Sequence, residues 1–393
     1  NIAKEVFANH GYKVVLLENQ GPNVIREGLR YVHNDICYPA QLVIGQLIDA
    51  VKHGNFDTNK IALVITQTGG GCRASNYLFL LRKALQKCQL SHIPVISLNL
   101  KGMEKNPGFK LTIFMLLQAY SAFVYGDLLM ALSNQVRPYE VNKGETDALV
   151  KTWTNYLSER FAHNRGYIGY AMKRNLNEIC RQFAAIETRK ETKIKVGIVG
   201  EIYMKYSPLG NNNLQAYLEE QGCEVMVPSM MGFLYYGADN AIIDRSYYGG
   251  RRISSVITQL VLKQLFKVEN MAREAMQKSG RFTVPIPYTE MKQLNDGLID
   301  FGVKMGEGWL LTAEMLDLVH AGYTNIVCTQ PFGCLPNHIC AKGMIRAVTE
   351  RAPEANIVPI DYDPSATHVN QENRIKLMLS IAKENLDGRK SGE

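Results

Sequence analysis

The sequence lacks several features that would point directly to a function class. It has no run of five basic residues, so a nucleic-acid-binding stripe is not expected although 44 Lys and Arg exceed 37 Asp and Glu. Its most apolar stretch, residues 111–133, is interrupted by Gln118 and Asp127. We therefore expect a buried helix or helix pair there, and no membrane span. Eight scattered cysteines in 393 residues do not form a disulfide framework.

Other common motifs are also missing. No basic segment followed by an apolar run opens the chain, so no secretory signal is predicted and we expect a reducing cytoplasm. No G-x-x-x-x-G-K-[ST] and no H-E-x-x-H occurs, and the glycines of VGIVGEI have the wrong spacing for a dinucleotide fingerprint. The chain is thus not expected to bind ATP through its own P-loop. Its composition, 46% hydrophobic and 21% charged, is that of an ordinary folded protein.

Apolar runs that alternate with helical segments predict an α/β fold with two doubly wound parallel-sheet domains. The first domain spans 1–102, a helical segment spans 103–191, and the second domain spans 192–393. Because the end of a helix opens the chain at Asn1, we expect the first domain to lack its first strand here. Helices are predicted at 38–52, 74–87 and around 251–278. The predicted strands are 12–17, 61–66, 93–100, 193–203, 224–228, 325–329 and 356–360.

Three cysteines share one kind of position. Cys37 precedes a helix that begins with a proline in its first turn, in NDICYPAQ. Cys72 follows a strand and three glycines in TQTGGGCRASNY, and Cys334 follows a strand and a Pro–Gly turn in CTQPFGCLPNH. Each is therefore expected at a helix N-terminus, and Cys72 and Cys334 beyond the carboxyl end of a strand, where open α/β sheets bind ligands.

Helix N-termini offer free N–H groups and positive potential, which lower a thiol pKa and favour the thiolate that ligates metal. Three such thiolates from two facing domains predict an iron–sulfur cluster in the cleft, and one iron would stay open for substrate. Cys328, inside a strand, and Cys340, in the next helix, are more simply structural, although either could complete a larger cluster. Cys88, Cys180 and Cys223 are interpreted as ordinary buried cysteines.

Further candidates lie on the same loops. Gly69, Gly70, Gly71 and Gly333 would let the backbone approach a bound cofactor closely. His338, four residues after Cys334, is a candidate proton donor, with a helix-start histidine as the plainer alternative. Glu201 follows the predicted strand 194–200 and could contact a ligand or cap the next helix.

These motifs resemble those of the 2-hydroxyacyl-CoA dehydratase and benzoyl-CoA reductase family, most closely the region of large activase-related proteins that is similar to a 2-hydroxyglutaryl-CoA dehydratase component. The segments that carry the resemblance are NDICYPAQL, VITQTGGGCRASNYLFLLRKAL, KVGIVGEIY, GEGWLL, QPFGCLPNH and PIDYDPSATHVNQENRIKLML.

The resemblance implies flavodoxin-like domains and an oxygen-sensitive cluster, either 4Fe–4S or the 8Fe–9S double cubane of a related branch. Cys37, Cys72 and Cys334 would be its ligands, and a double cubane would also need Cys328 or Cys340, or cysteines outside the given sequence. It also implies an ATP-dependent 4Fe–4S activase, separate or fused, that injects a low-potential electron. A dimer with itself or with a homologous component is expected, acting on an acyl-CoA or another small molecule by dehydration or reduction.

Two alternatives remain open from the sequence. The chain could be a non-catalytic electron-transfer or scaffold domain of a large fusion protein, with a cluster that exchanges no ligands. It could also be a zinc-binding or metal-free α/β domain that uses its three glycines to cradle an anion. Iron and labile sulfide in an anaerobic sample would separate these alternatives from an enzyme module.

Overall fold

The computed structural model describes residues 2–99, 103–249 and 252–390. It is a mixed α/β protein whose strands form parallel sheets, as the sequence predicts. The last residue of the predicted strand 93–100 and the predicted domain boundary at 102 lie outside the described residues.

The described residues form one two-stranded and one four-stranded sheet, in the orders β1-β2 and β4-β3-β5-β6. All pairs are parallel, which requires a crossover between each pair of strands. The strands are β1 (Leu63–Thr66), β2 (Val95–Leu98), β3 (Lys195–Gly200), β4 (Glu224–Met226), β5 (Asn325–Pro331) and β6 (Asn356–Tyr362).

Helices surround both sheets, and three short 3₁₀ turns at Arg73–Asn76, Arg137–Tyr139 and Lys342–Met344 join some of them. The helices are α1 (Ile2–Ala8), α2 (Pro22–Tyr31), α3 (Tyr38–His53), α4 (Tyr77–Lys87), α5 (Ile113–Val136), α6 (Glu145–Ala162), α7 (Gly169–Ala185), α8 (Ile202–Tyr206), α9 (Pro208–Asn211), α10 (Leu214–Glu220), α11 (Met230–Tyr248), α12 (Arg252–Ser279), α13 (Tyr288–Leu294), α14 (Leu310–His320), α15 (Leu335–Cys340), α16 (Ile345–Arg351) and α17 (His368–Lys390).

The four-stranded sheet is buried on both faces. Every residue of β5 is buried. On one face Ile198 and Val327 pack in a cluster with Leu214 and Leu218 of α10. On the other face Val199 and Cys328 pack in a cluster with residues of α14. This burial is why continuous apolar runs predicted these strands correctly, to within a few residues at each end.

The predicted strand at 12–17 is wrong. These residues have no regular secondary structure, and Val15 and Leu16 are exposed. A strand needs a neighbour to accept its backbone hydrogen bonds, and none of the other described segments pairs with this one. Instead an unpredicted helix, α2, follows this segment and crosses α3. Gly28 permits the close approach of the two helices, since a Cβ there would overlap the carbonyl of Gln41.

Most of the predicted helical segment 103–191 is helical, in α5, α6 and α7, whereas residues 103–112, 140–144 and 163–168 are not. The apolar stretch forms the single helix α5 instead of a pair. Tyr125 of α5, Phe161 of α6 and Phe183 of α7 are buried in one apolar cluster. Of the described residues, only Ile113–Tyr139 is long and apolar enough to cross a membrane, by length and composition. In that stretch 44% of the most apolar window is buried inside the protein, and the core helix of a water-soluble domain passes the same test.

Candidate functional site

Each of the three predicted cysteines is the N-cap residue of a helical segment. Cys37 caps α3, Cys72 caps the 3₁₀ turn Arg73–Asn76, and Cys334 caps α15. A proline in the first turn of α3 and of α15 has no N–H to leave unpaired there, which favours helix initiation at those points. The prediction that each cysteine stands at a helix start is therefore confirmed.

The loops that carry Cys37 and Cys334 touch. The backbone N–H of Tyr38 donates to the carbonyl of Phe332 at 2.9 Å. Gly333 has a left-handed φ of 69°, and a Cβ there would lie 3.1 Å from Cys37 Cα and 3.2 Å from its nitrogen. Glycine is required at position 333 because the two backbones meet at this point.

The loop that carries Cys72 joins the same place from another side. Arg73 Nη1 donates to the carbonyl of Asp35, in the loop before Cys37, at 2.7 Å. A Cβ at Gly306 would lie 3.8 Å from Cys72 Cβ and 2.9 Å from Pro336 Cγ. Gly306 thus lies between Cys72 and the start of α15, and the three cysteine loops meet at one corner of the protein.

The structure adds a tyrosine to this corner. The Tyr77 hydroxyl lies 2.7 Å from Cys37 Sγ, and both residues are buried. Tyr77 is the first residue of α4, five positions after Cys72. Sequence reasoning missed it, and the only signal was a hydroxyl-bearing aromatic residue in the first turn after a candidate ligand.

Two carboxyl groups complete the corner. Glu201 caps α8, where its Oε2 accepts from the N–H of Met204 at 2.9 Å. Glu307 is buried, and its Oε1 accepts from the N–H of Ile202 at 2.8 Å. Sequence reasoning did not single out Glu307, although its segment GEGWLL carries part of the resemblance. The signal was an acid between two glycines, and both glycines have positive φ.

Burial sets the protonation of these acids. It raises the pKa of Glu201 to about 8, and the charge of Glu307 adds to the rise. Burial also raises the pKa of Glu307, against two backbone hydrogen bonds and the positive charge of Lys205. A proton is therefore held on Glu201 at neutral pH.

The predicted direction of the thiol pKa shifts is wrong. We expected helix N-termini to lower the thiol pKa values, but burial raises the pKa of Cys72 to about 11. Burial likewise raises the pKa of Cys37 and that of Cys334. Glu201 adds to the rise at all three thiols, and Glu307 adds at Cys72 and Cys334. Without a bound cation the thiols are therefore neutral, because desolvation outweighs the helix ends.

The other sequence candidates lie elsewhere or at the margin. Cys328 is in the core of the four-stranded sheet, where its Sγ donates to Asn337 Oδ1 at 3.7 Å, and it is not brought to the three cysteine loops. Cys340 shares that core cluster. His338 is exposed on α15, and its backbone N–H donates to the carbonyl of Cys334 at 3.1 Å.

The glycines before Cys72 lie on the surface side of the corner. Gly69 has a positive φ of 65°, and a Cβ at Gly70 would meet nothing within 4 Å. A Cβ at Gly71 would overlap the sulfur of Met305. At Gly71, as at Gly333, the close approach that glycine permits is to protein atoms.

The donor set fits a cluster better than a single ion. Among the residues that the structure describes, no three His, Cys, Asp or Glu side chains are grouped to hold one metal ion. A tetrahedral ion needs its thiolates about 2.3 Å from a single centre. An iron–sulfur cluster instead gives each cysteine a different iron, so its thiolates stand further apart. Three N-capping thiols in one corner supply the type of ligand that such a cluster takes.

Comparison with protein-family models and with curated proteins finds no significant match to this chain. The function of this chain is therefore inferred from the corner formed by Cys37, Cys72 and Cys334, together with the sequence motifs around these cysteines.

Proposed function

We propose that this chain is the iron–sulfur module of a low-potential reductase or dehydratase that depends on an ATP-driven activase. The observation that carries the proposal is the meeting of three N-capping cysteines, from segments far apart in the sequence, beside the buried Glu307 and the half-buried Glu201.

The chain's own residues would hold the cluster as follows. Cys37, Cys72 and Cys334 would each ligate one iron, and the free N–H groups at the three helix starts would face the negative charge of the sulfurs. The Tyr77 hydroxyl, 2.7 Å from Cys37 Sγ, would donate to that sulfur once it is a thiolate. Such hydrogen bonds to cluster sulfurs shift the reduction potential.

When bound, the iron–sulfur cluster would supply a low-potential electron and one iron atom that no cysteine ligates. Beside it Glu201 holds a proton at neutral pH, since burial raises its pKa to about 8. Glu307 fixes the backbone of Ile202 and so the position of Glu201. A substrate bound in this corner could therefore receive a proton from Glu201, and the exposed His338 is a second candidate at the rim.

The strand order supports the flavodoxin-like part of the proposal. Numbered within the second domain, the four-stranded sheet has the order 2-1-3-4, which is how a flavodoxin-like sheet begins. Glu201 and Cys334 follow the two central strands, β3 and β5, at their carboxyl ends. This is the edge at which such sheets bind ligands.

The rim of the corner supports a partner. Met305, Phe332, Leu335 and Ile339 are exposed apolar side chains on the segments that carry Glu307 and Cys334. An activase or a homologous component must approach the cluster closely to pass an electron, and an apolar rim suits such a contact. The substrate, an acyl-CoA or another small molecule, is proposed from the motif resemblance alone.

The test is iron and acid-labile sulfide per chain after anaerobic reconstitution, for the wild type, Cys72→Ser and Cys334→Ser. Cys88→Ser is the matched control, since Cys88 lies at the end of α4, away from the corner. We expect about four of each per wild-type chain, or about eight irons for a double cubane, and loss in both corner variants only. Cys328→Ser is expected to matter only if the larger cluster forms.

Two results would contradict the proposal. Full iron retention in both corner variants would show that Cys72 and Cys334 are not ligands. A folded wild-type chain that contains zinc or no metal would show that no iron–sulfur cluster forms. If the cluster forms but azide, cyanide and acyl-CoA leave its reduced spectrum unchanged, the electron-transfer or scaffold alternative is favoured.

A further inference from the structure

A cavity lies in another part of the protein, away from the cysteine corner. It has a volume of about 150 Å³ and is lined by α5, α11, α12, α13 and α14 together with the segment after β4. None of the three corner cysteines, Glu201 or Glu307 lines it. A cavity of this volume is large enough for a molecule the size of benzene.

Most of the cavity wall is apolar and adaptable. Methionine side chains are flexible and polarizable, so they fit ligands of varied shape. Tyr235 and Tyr288 add aromatic faces. The methionines of the wall are Met130, Met226, Met231, Met276 and Met291.

Four carboxyl groups also line the cavity, and three of them have partners. Asp127 accepts from Ser229 Oγ and from the N–H groups of Met230 and Met231. Glu269 accepts from the N–H of Tyr288 at 3.0 Å.

Glu314 is held by Lys205, whose Nζ lies 2.7 and 2.8 Å from its two carboxylate oxygens. The fourth carboxyl is Asp317, one turn further along α14. Its Oδ1 is buried and has no hydrogen-bond partner among the described residues. Arg273, which also lines the cavity, donates from Nε to the carbonyl of Pro285 at 2.8 Å and from Nη1 to Asn270 Oδ1 at 3.3 Å.

An apolar space lined by a half-buried aspartate with one buried, unpartnered carboxylate oxygen has a defined chemical complement. Burying a carboxylate without a partner is costly, and an ammonium group that donates to it removes most of that cost. We propose that this cavity binds a small apolar molecule that carries a primary amine, with Asp317 as the counter-ion and the methionine and tyrosine wall around its body.

The experiment uses the whole chain and three soluble probes of equal size: benzylamine, benzyl alcohol and benzoate. We expect isothermal titration to show benzylamine bound roughly tenfold or more tightly than benzyl alcohol, and benzoate not at all. Asp317→Asn should weaken benzylamine by a similar factor and leave benzyl alcohol within about twofold. Asp57→Asn, in an exposed turn, is the matched control and should change nothing.

A second variant tests whether the probes bind in this cavity. Gly232 of α11 lines the cavity, and a Cβ there would meet nothing within 4 Å, so a larger side chain has room to enter. Gly232→Phe should abolish binding of both benzylamine and benzyl alcohol while the far-UV circular dichroism stays that of the wild type. The proposal is overturned if benzylamine does not bind, if its binding survives either Gly232→Phe or Asp317→Asn, or if benzyl alcohol binds as tightly.

Discussion

The two sheets use the same alternation of strand and helix but differ in how deeply they are buried. All seven residues of β5 in the four-stranded sheet are buried. In the two-stranded sheet β1 buries only alternate residues, and Val64 is 42% exposed. A parallel sheet normally has both faces covered, whereas the face of the first sheet that carries Val64 is open at β1 and covered at β2, where Ile96 and Leu98 pack against the apolar cluster of α5.

The difference separates two tasks at the cysteine corner. The shallow sheet and its helices carry Cys37 and Cys72, with Tyr77 on the same side. The elements of the deep sheet carry Cys334, Glu201 and Glu307, and α8 and α14 beside it carry the buried Lys205–Glu314 pair. The side of the shallow sheet thus supplies two of the three thiols, and the side of the deep sheet supplies both acids.

The strongest test of the comparison is the ion pair behind the deep sheet. Both side chains are only 2% exposed, and Lys205→Ala would leave the Glu314 charge buried without a partner. We expect a loss of about 3–5 kcal/mol in the free energy of unfolding, measured by urea denaturation. The matched control is Lys60→Ala, which removes an exposed pair with Asp57 and should cost about 0–1 kcal/mol. Equal losses would break the comparison.

A glycine at the end of β3 provides the next test. Gly200 has φ 137°, and a Cβ there would overlap Thr329 of the neighbouring strand. Gly200→Ala should therefore cost about 2–3 kcal/mol, from strain and collision together. Gly222→Ala has a comparable positive φ of 81° but meets nothing within 4 Å, so it should cost about 1 kcal/mol. If thermal denaturation gives the two variants the same loss, the packing at β3 is looser than described.

The pH dependence of stability tests the helix that covers the deep sheet. Burial raises the pKa of Asp317 from 3.8 to about 7, and the charge of Glu314 adds to the rise. Between these values the folded chain keeps a proton that the unfolded chain loses, so this group lowers stability as the pH rises from about 4 to 7. Asp317→Asn should be more stable than the wild type by about 1–2 kcal/mol at pH 8, with no difference near pH 3. A constant difference at all pH values would contradict this assignment.

The smallest expected effect is on the open face of the shallow sheet. Val64→Thr should change the free energy of unfolding by less than about 0.5 kcal/mol, since the added hydroxyl remains in water. Val327→Thr, at a fully buried position of β5, should cost about 1–3 kcal/mol because its hydroxyl enters an apolar core. A large loss at Val64 would indicate that another surface covers this face.

What the sequence could predict follows from how local each signal is. The helix starts at Cys37 and Cys334 were predictable because proline in the first turn acts on its own backbone. The strand at 12–17 was wrong because an apolar run does not by itself supply a pairing partner. The predicted direction of the thiol pKa shifts was wrong because these shifts depend on burial by loops distant in sequence and, at Cys72 and Cys334, on the charge of Glu307. No local pattern contains either influence.

The contact between Gly333 and Cys37 also bears on when the corner can form during synthesis. These residues are about 300 positions apart, so a ribosome that adds about 5–20 residues per second needs roughly 15–60 s to make the second after the first. During that interval Cys37 and Cys72 have emerged without the segment that closes over them. The corner is therefore completed only after β5 and α15 have been made, and the nascent chain exposes the thiols of Cys37 and Cys72 until then.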